Sequence, residues 1–251
     1  MPDAYRILAA FYDTIYASRT QDIEFYVAMA REGNGPILEV GCGTGRITLS
    51  LAETGSEIHG IDASAMMLEI LRNKLTARPE LSLHIHEGDM RAFDLGRKFA
   101  QIFVPFRAFL HLDTIDDQLA ALRCFHHHLL PDGRLIVDIF APSYRMMSNT
   151  QAQNSLPAHY HADGRIITVM DHVTYVHCDQ RIEVERHIDT VSPDGTLKRN
   201  VEHFHLRYIF RYEMELLLRQ AGFRLDTVYG SFDRRPYDYH SGEMIFIARP
   251  T

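Results

Sequence analysis

The stretch Ile37-Leu38-Glu39-Val40-Gly41-Cys42-Gly43-Thr44-Gly45-Arg46 restricts what this chain can fold into more than any other. A short apolar run reads as a buried strand, the glycine-rich turn lets the backbone approach a ligand closely, and the chain turns helical from Arg46. Strand, glycine loop and helix in that order form the cradle in which α/β sheets hold a nucleotide-like cofactor. The glycines are spaced G-x-G-x-G, whereas the dinucleotide fingerprint is G-x-G-x-x-G and puts glycine where Arg46 stands. That departure argues against NAD.

The segments on either side continue the alternation. Ala10 to Arg19 interleaves aromatic and polar residues, and Asp22 to Arg31 places Ile23, Val27 and Ala30 at helical spacing. After the loop, Ile47, Leu51 and Ala52 line a helix that Gly55 ends; Glu57 to Asp62 is a second strand; Ser64 caps a helix carrying Met67, Leu68, Leu71 and Leu75. Leu81 to His86 alternates as a third strand, Ala100 to Val104 makes a fourth that Pro105 stops, and Asp116 to Leu130 is a helix. A Pro131-Asp132-Gly133 turn then leads into the strand Leu135 to Phe140. Such alternation predicts a doubly wound parallel sheet with right-handed crossovers.

From Pro142 the pattern changes. Ser143 to Pro157, rich in Ser, Asn and Gln, reads as a loop or lid. Ile166 to His177, Arg181 to Ser192 and Leu197 to Phe210 read as an antiparallel meander standing off the main sheet. Arg211 to Ala221 is a helix, and Leu225 to Tyr229 with Met244 to Ala248 complete the sheet as an antiparallel pair. The expected organisation is a single domain over 1–251, with a helical cap (1–35), a cofactor-binding core (36–141), a lid and antiparallel insertion (142–210) and a closing helix with final strands (211–251).

A chain of 251 residues, 46% apolar, can bury such a core in one domain with an insertion. No apolar run approaches the roughly 20 residues of a membrane span, and Met1 to Arg6 lacks the pattern of a leader; the expected location is the cytoplasm. Cys42, Cys124 and Cys178 are far apart and without C-x-x-C spacing, hence reduced thiols rather than disulfides or a zinc site. A net charge of -7 offers no global field for nucleic acid.

Ligands of such sheets bind at the carboxyl ends of the strands. Those ends carry Gly41 to Gly45, Asp62, Asp89, and Pro105-Phe106-Arg107 in succession. A carboxylate such as Asp62, about 20 positions past the loop, can accept from two ribose hydroxyls. Asp89 can accept from the exocyclic amine of a base, with Met67 and Met90 on its faces.

In these residues the chain resembles the class I S-adenosylmethionine-dependent methyltransferases, with their Rossmann-like, mostly parallel seven-stranded sheet. Leu38 to Gly45, Gly60 to Met67 and Glu87 to Arg91 look like that family's successive cofactor motifs. The resemblance implies that Glu39 serves the loop, that Gly41, Cys42, Gly43 and Gly45 approach the aminoacyl and ribose part of S-adenosylmethionine, and that Asp62, beside Ala63, holds the ribose. It places Asp89, Met67, Met90 and Phe106 against the remainder of the cofactor. A narrower resemblance, carried by Tyr12, Asp13, Tyr16 and Arg19 and by Asp89 to Phe99, is to small-molecule members that methylate amino sugars of antibiotics. It implies that Tyr16 and Arg19 reach the cofactor carboxylate and that Tyr12 lies near the transferring methyl. The residues alone leave Tyr12 and Tyr16 open to a packing role.

Methyl transfer from a sulfonium is an in-line displacement, so alignment supplies much of the acceleration, up to about 7–11 kcal/mol in well-oriented systems. His111 is the leading candidate base, ahead of His203 and His205; Arg107, Arg207 and Tyr237 are candidate substrate contacts. Pro105-Phe106-Arg107 lacks the Asn/Asp-Pro-Pro-Tyr/Phe pattern of enzymes that methylate amide or base nitrogens. No metal site is expected: consecutive His126, His127 and His128 cannot converge on one ion and read as a solvated helix end, while His84 and His86 share a strand face with no carboxylate placed to join them. The expected activity is methylation of nitrogen or oxygen on a small molecule, against two alternatives: an NAD-dependent oxidoreductase and a non-catalytic cofactor-binding protein. A homodimer paired through the exposed meander edges completes the expectations.

Overall fold

The structure is a computed structural model that describes residues 7–149 and 151–251; the segment Met1 to Arg6, used above to argue against a leader, lies outside them. In chain order the elements are α1 (Tyr12–Tyr16), α2 (Gln21–Arg31), β1 (Ile37–Val40), α3 (Thr48–Ala52), β2 (Ile58–Asp62), α4 (Ala65–Thr76) and β3 (Leu83–Glu87). They continue with β4 (Phe99–Val104), α5 (Ile115–His128), β5 (Leu129–Phe140), α6 (Tyr144–Met147), β6 (Gln153–Asn154), β7 (Ala158–Ala162) and β8 (Arg165–Val176). The chain closes with β9 (Arg181–Val191), β10 (Leu197–Arg207), α7 (Arg211–Gln220), β11 (Phe223–Tyr229) and β12 (Glu243–Pro250).

Seven strands form the main sheet in the order β11-β12-β5-β4-β1-β2-β3. β1 to β5 run parallel to one another, and β12 and β11 close one side antiparallel. Successive residues of the central strands face opposite sides, and both sides are apolar. Leu38, Val40, Ile102, Val104, Val137 and Phe246 pack with α5 and α7, whereas Ile37, Phe103, Ile136 and Ile245 pack with α2, α3 and α4. A sheet covered on both faces cannot alternate apolar with polar, so its strands read as continuous apolar runs.

β6 to β10 make a second, antiparallel sheet in the order β10-β9-β8-β6, with β7 also on β8. Its inner face, Ile167, Val169 and Ile188, packs against Leu8 and against Tyr12, Ile15 and Tyr16 of α1, whereas α2 packs on the main sheet.

Three expectations need correction. The Ser/Asn/Gln-rich stretch holds α6 and β6, and β7 follows it; Ser143 caps α6 by accepting from Met146 N–H at 3.2 Å, and Asn154 pairs with His172 of β8. Backbone pairing, which polar composition does not forbid, organises the segment. Pro131-Asp132-Gly133 does not end an element: β5 begins at Leu129, and the extra residues are absorbed where the register shifts between Phe99↔Leu129 and Gln101↔Arg134. The histidines after Phe125 are not a solvated end either. His128 is buried, its Nδ1 on Cys124 carbonyl at 2.8 Å and its Nε2 accepting from Leu95 N–H at 3.3 Å. His126 lies edge-on to Phe223, and only His127 is exposed.

Candidate active site

The glycine loop leaves β1 with its backbone turned into the left-handed region at Gly41, Gly43 and Gly45. A side chain at Gly45 would meet Leu71 Cδ1 at 2.2 Å, whereas one at Gly43 would meet nothing within 4 Å and project into open space. Gly43 N–H donates to Asp62 Oδ2 at 2.8 Å and Ser64 N–H to Oδ1 at 2.8 Å, so the Asp62 carboxylate ties the loop to the start of α4. Glu39, buried on β1, accepts from Thr48 Oγ1 at 2.6 Å, and burial pushes its carboxyl up to about 8. Burial also raises Asp62, and raises the Cys42 thiol well above its ordinary value.

The N-terminal segment is fastened onto this loop. Asp13 accepts from Thr44 Oγ1 at 2.7 Å and pairs with Lys74 at 2.6 Å, while Lys74 also donates to the Thr44 carbonyl at 2.8 Å. α1 is thereby held with Tyr12 and Tyr16 over the strand ends, ring centroids 4.7 Å apart. The Phe106 ring meets Tyr16 edge-on at 5.0 Å and Tyr12 at 6.3 Å, with the Arg46 guanidinium over it at 4.6 Å and that of Arg19 at 5.9 Å. Arg46 makes a buried two-pronged pair with Asp22 and donates to the Arg19 carbonyl at 2.8 Å. Burial raises the Tyr12 hydroxyl, so it remains protonated.

Phe106 reaches this position through an uncommon backbone: Phe106 and Arg107 are consecutive residues with φ of 53° and 65°. The Phe106 N–H is anchored by Asp138 Oδ2 at 2.8 Å, an oxygen that also accepts from Tyr26 at 2.6 Å. Asp138 is buried on β5, which pushes its carboxyl up to about 6. Arg107 is paired with Glu243 at 2.9 Å.

The second sheet reaches the same cleft from its other side. Arg186 on β9 pairs with Asp171 through two contacts of 2.7 Å and donates to the Tyr16 hydroxyl at 3.0 Å. On β10, His205 pairs with Asp113 Oδ2 at 2.7 Å, and Arg207 donates to the Asp113 carbonyl at 2.6 Å. His111 hydrogen-bonds to the backbone of His205, and burial pushes its imidazole down to about 4, so it is neutral at physiological pH. His203 faces solvent beside Glu185, and Tyr237 packs near Arg211 at the outer side of β11; neither belongs to these contacts. Asp89, beyond β3, is gripped by Arg91 through contacts of 3.0 Å, and that cation holds its carboxyl below the usual range. Met67 is buried on α4, and Met90 is half-buried.

Sequence reasoning missed Asp22 and Arg46, Asp138 and Tyr26, and Arg186. Asp138 did carry a signal: a carboxylate inside the apolar run Leu135-Ile136-Val137-Asp138-Ile139 of a strand covered on both faces. The pairing of His84 and His86 also needs correction, since Glu57 stands beside His59 and His84.

Residues 37–133 match the family described as a methyltransferase domain. Together with the sheet and the strand-end constellation, this makes the chain an S-adenosylmethionine-dependent methyltransferase. Over most of its length it is similar to dTDP-3-amino-3,6-dideoxy-alpha-D-glucopyranose N,N-dimethyltransferase of Streptomyces fradiae, 28% identical over 236 residues, covering 89% of this chain and 86% of the relative. It is also similar to dTDP-3-amino-3,4,6-trideoxy-alpha-D-glucopyranose N,N-dimethyltransferase of Streptomyces venezuelae, 29% identical, covering 94% and 91%. Among solved structures, the CcbJ methyltransferase of Streptomyces caelestis superimposes with a TM-score of 0.76 at 26% identity, covering 92% of this chain and 88% of that one. The oxidoreductase alternative finds no support in these likenesses.

Proposed function

We propose that this enzyme methylates the amino nitrogen of a small amino sugar, of the kind that its two sugar-methylating relatives act on by name. The observation that carries the reading is that the second sheet closes the strand-end cleft on two sides, through Arg186 to Tyr16 and through His205 and Arg207 to Asp113. A cleft walled in this way suits a small acceptor rather than a polymer. The unit acts as one domain over 1–251: the cap of 1–35, the core of 36–141, the insertion of 142–210 and the closing 211–251.

The residues present fit the cofactor, since Gly43 leaves open space at the loop, Asp62 ends β2 and Asp89 follows the end of β3. Gly41, Cys42, Gly43 and Gly45, with Glu39 behind them, would hold its aminoacyl and ribose part; Asp62 and Ala63 the ribose; Asp89, Met67 and Met90 the base; Tyr16 and Arg19 the carboxylate. When bound, S-adenosylmethionine supplies an electrophilic methyl on a sulfonium. Phe106, Tyr16 and Tyr12 exclude water and orient the acceptor. His111, held neutral by burial, is too weak a base to strip an ammonium; it orients an acceptor that arrives as the free amine, its nitrogen lone pair aimed for in-line attack. Arg207 lies beside it on the acceptor side, while Arg107 and Tyr237, engaged elsewhere, have secondary parts.

The test incubates the enzyme with labelled S-adenosylmethionine and either a dTDP-linked 3-amino-3,6-dideoxyhexose or its 3-hydroxy counterpart. One or two methyl groups on the amino sugar and none on the hydroxyl analogue support the reading. Label on the hydroxyl analogue alone refutes it.

A further inference from the structure

A cluster at the opposite end of the sheet has no part in this chemistry. Glu57 and His59 stand two residues apart on one face at the start of β2, and His84 is the register partner of His59 on β3, the sheet's outer strand. These positions precede or open their parallel strands, whereas the cofactor motifs follow the strand ends. The His59 ring stacks on His84 at 4.5 Å and on His86 at 5.1 Å.

Hydrogen-bond donors and acceptors settle how the histidine is protonated. Arg97 Nη1 lies 2.9 Å from His59 Nε2, and a guanidinium only donates, so Nε2 carries a lone pair. The proton of neutral His59 is then on Nδ1, donated to His86 Nε2 at 2.9 Å. That Nε2, its lone pair taken up by Arg97, lies 3.2 Å from Glu57 Oε1, and His84 Nε2 is 3.7 Å from the same oxygen. The donor atoms of Glu57, His59 and His84 all lie within 4.8 Å of one another.

We propose that Glu57, His59 and His84 form a binding site for a divalent transition-metal ion of the zinc type, which exchanges with the Arg97 guanidinium. Ligands about 2.0–2.1 Å from a tetrahedral ion are about 3.3 Å apart, close to the two separations made by Glu57 Oε1. Two imidazoles and one carboxylate leave a fourth position for water, and His86, accepting from His59 Nδ1, orients that ring from behind as an outer partner. The place already holds a positive charge, because Arg97 donates to both Glu57 oxygens, at 2.5 Å to Oε1 and 3.1 Å to Oε2, and to His59. Its side chain is one-third exposed, so it can swing into solvent when the ion enters. The strand backbones fix the other three groups. The ion would clamp the outer strand β3 to β2, away from the methyl-transfer cleft.

The test titrates the chelator-treated full chain with Zn2+ at pH 7.5 by calorimetry, and with Co2+ by visible absorption. One equivalent is expected, with the d–d bands of a four-coordinate ion. Affinity falls tenfold or more in both Glu57→Gln and His84→Ala, rises in Arg97→Ala, and is unchanged when His126 and His127 are both replaced by alanine, with far-ultraviolet dichroism confirming that each variant is folded. No stoichiometric binding, binding indifferent to Glu57→Gln and His84→Ala, binding weakened by Arg97→Ala, or binding lost with His126 and His127 would each overturn it.

Discussion

The glycines of the loop divide into two kinds. Alanine at Gly43 or Gly45 bears the same left-handed backbone strain, about 1–2 kcal/mol, but only at Gly45 does it also push into a buried neighbour, Leu71. Gly45→Ala is therefore expected to lower Tm more than Gly43→Ala, by the several degrees that about 1–3 kcal/mol of overpacking brings, in calorimetry without ligand. Gly43→Ala should instead weaken S-adenosylmethionine binding more, because its side chain enters the open space. Glu39 gives a pH signature. Its folded value of about 8 lies above the ordinary 4.5, so between those values the folded state keeps a proton that the unfolded state has released. The unfolded state binds fewer protons there, and stability falls as pH rises through the window. Glu39→Gln, which can still accept from Thr48, should gain on the wild type as pH goes from 5 to 8; a Tm difference that shrinks or stays flat would contradict this.

At the scale of elements, what sequence revealed and what it hid follow from the range of the interactions. β1, β4 and β5 were legible because a strand covered on both faces is an apolar run, β3 because a half-exposed outer strand alternates, and the loop, Asp62 and Asp89 because each sits in a local pattern at a strand end. β7 was not, since Ala158-His159-Tyr160-His161-Ala162 offers a polar alternation at a half-buried edge. The pairs that shape the site join residues 24 positions apart (Asp22 and Arg46), 112 apart (Tyr26 and Asp138) and 170 apart (Tyr16 and Arg186), and no local spacing announces them. The last pair couples β9 to α1. Losing a charge-assisted hydrogen bond of about 1.5–3 kcal/mol corresponds to roughly a tenfold or greater change in affinity. Arg186→Met, in the middle of β9, should weaken S-adenosylmethionine binding by about that factor in calorimetry, while Arg181→Met, at the first residue of β9, leaves it unchanged.

For the whole molecule, β10 forms one long edge of the second sheet. Among the described residues it pairs with no strand but β9, and Leu197 and Val201 are exposed along it. Such an edge invites a second strand, and a two-fold axis would pair β10 with its copy, the arrangement we propose for a homodimer. Light scattering should give twice the chain mass of 28.9 kDa, and Val201→Lys should halve it while leaving cofactor binding intact. A monomer in both proteins would refute the arrangement. The Arg46 pair also limits what this loop can become. Restoring the dinucleotide pattern requires glycine at 46, but Arg46→Gly alone strands Asp22, 5% exposed, as a buried unpaired carboxylate, at about 3–5 kcal/mol. Asp22→Asn alone strands the cation in turn. Urea unfolding should show each single variant strongly destabilised and the double variant partly restored. In evolutionary terms, the shortest path from this loop toward nicotinamide chemistry passes through a poorly folded intermediate, so the choice of cofactor is guarded by a residue outside the glycine motif.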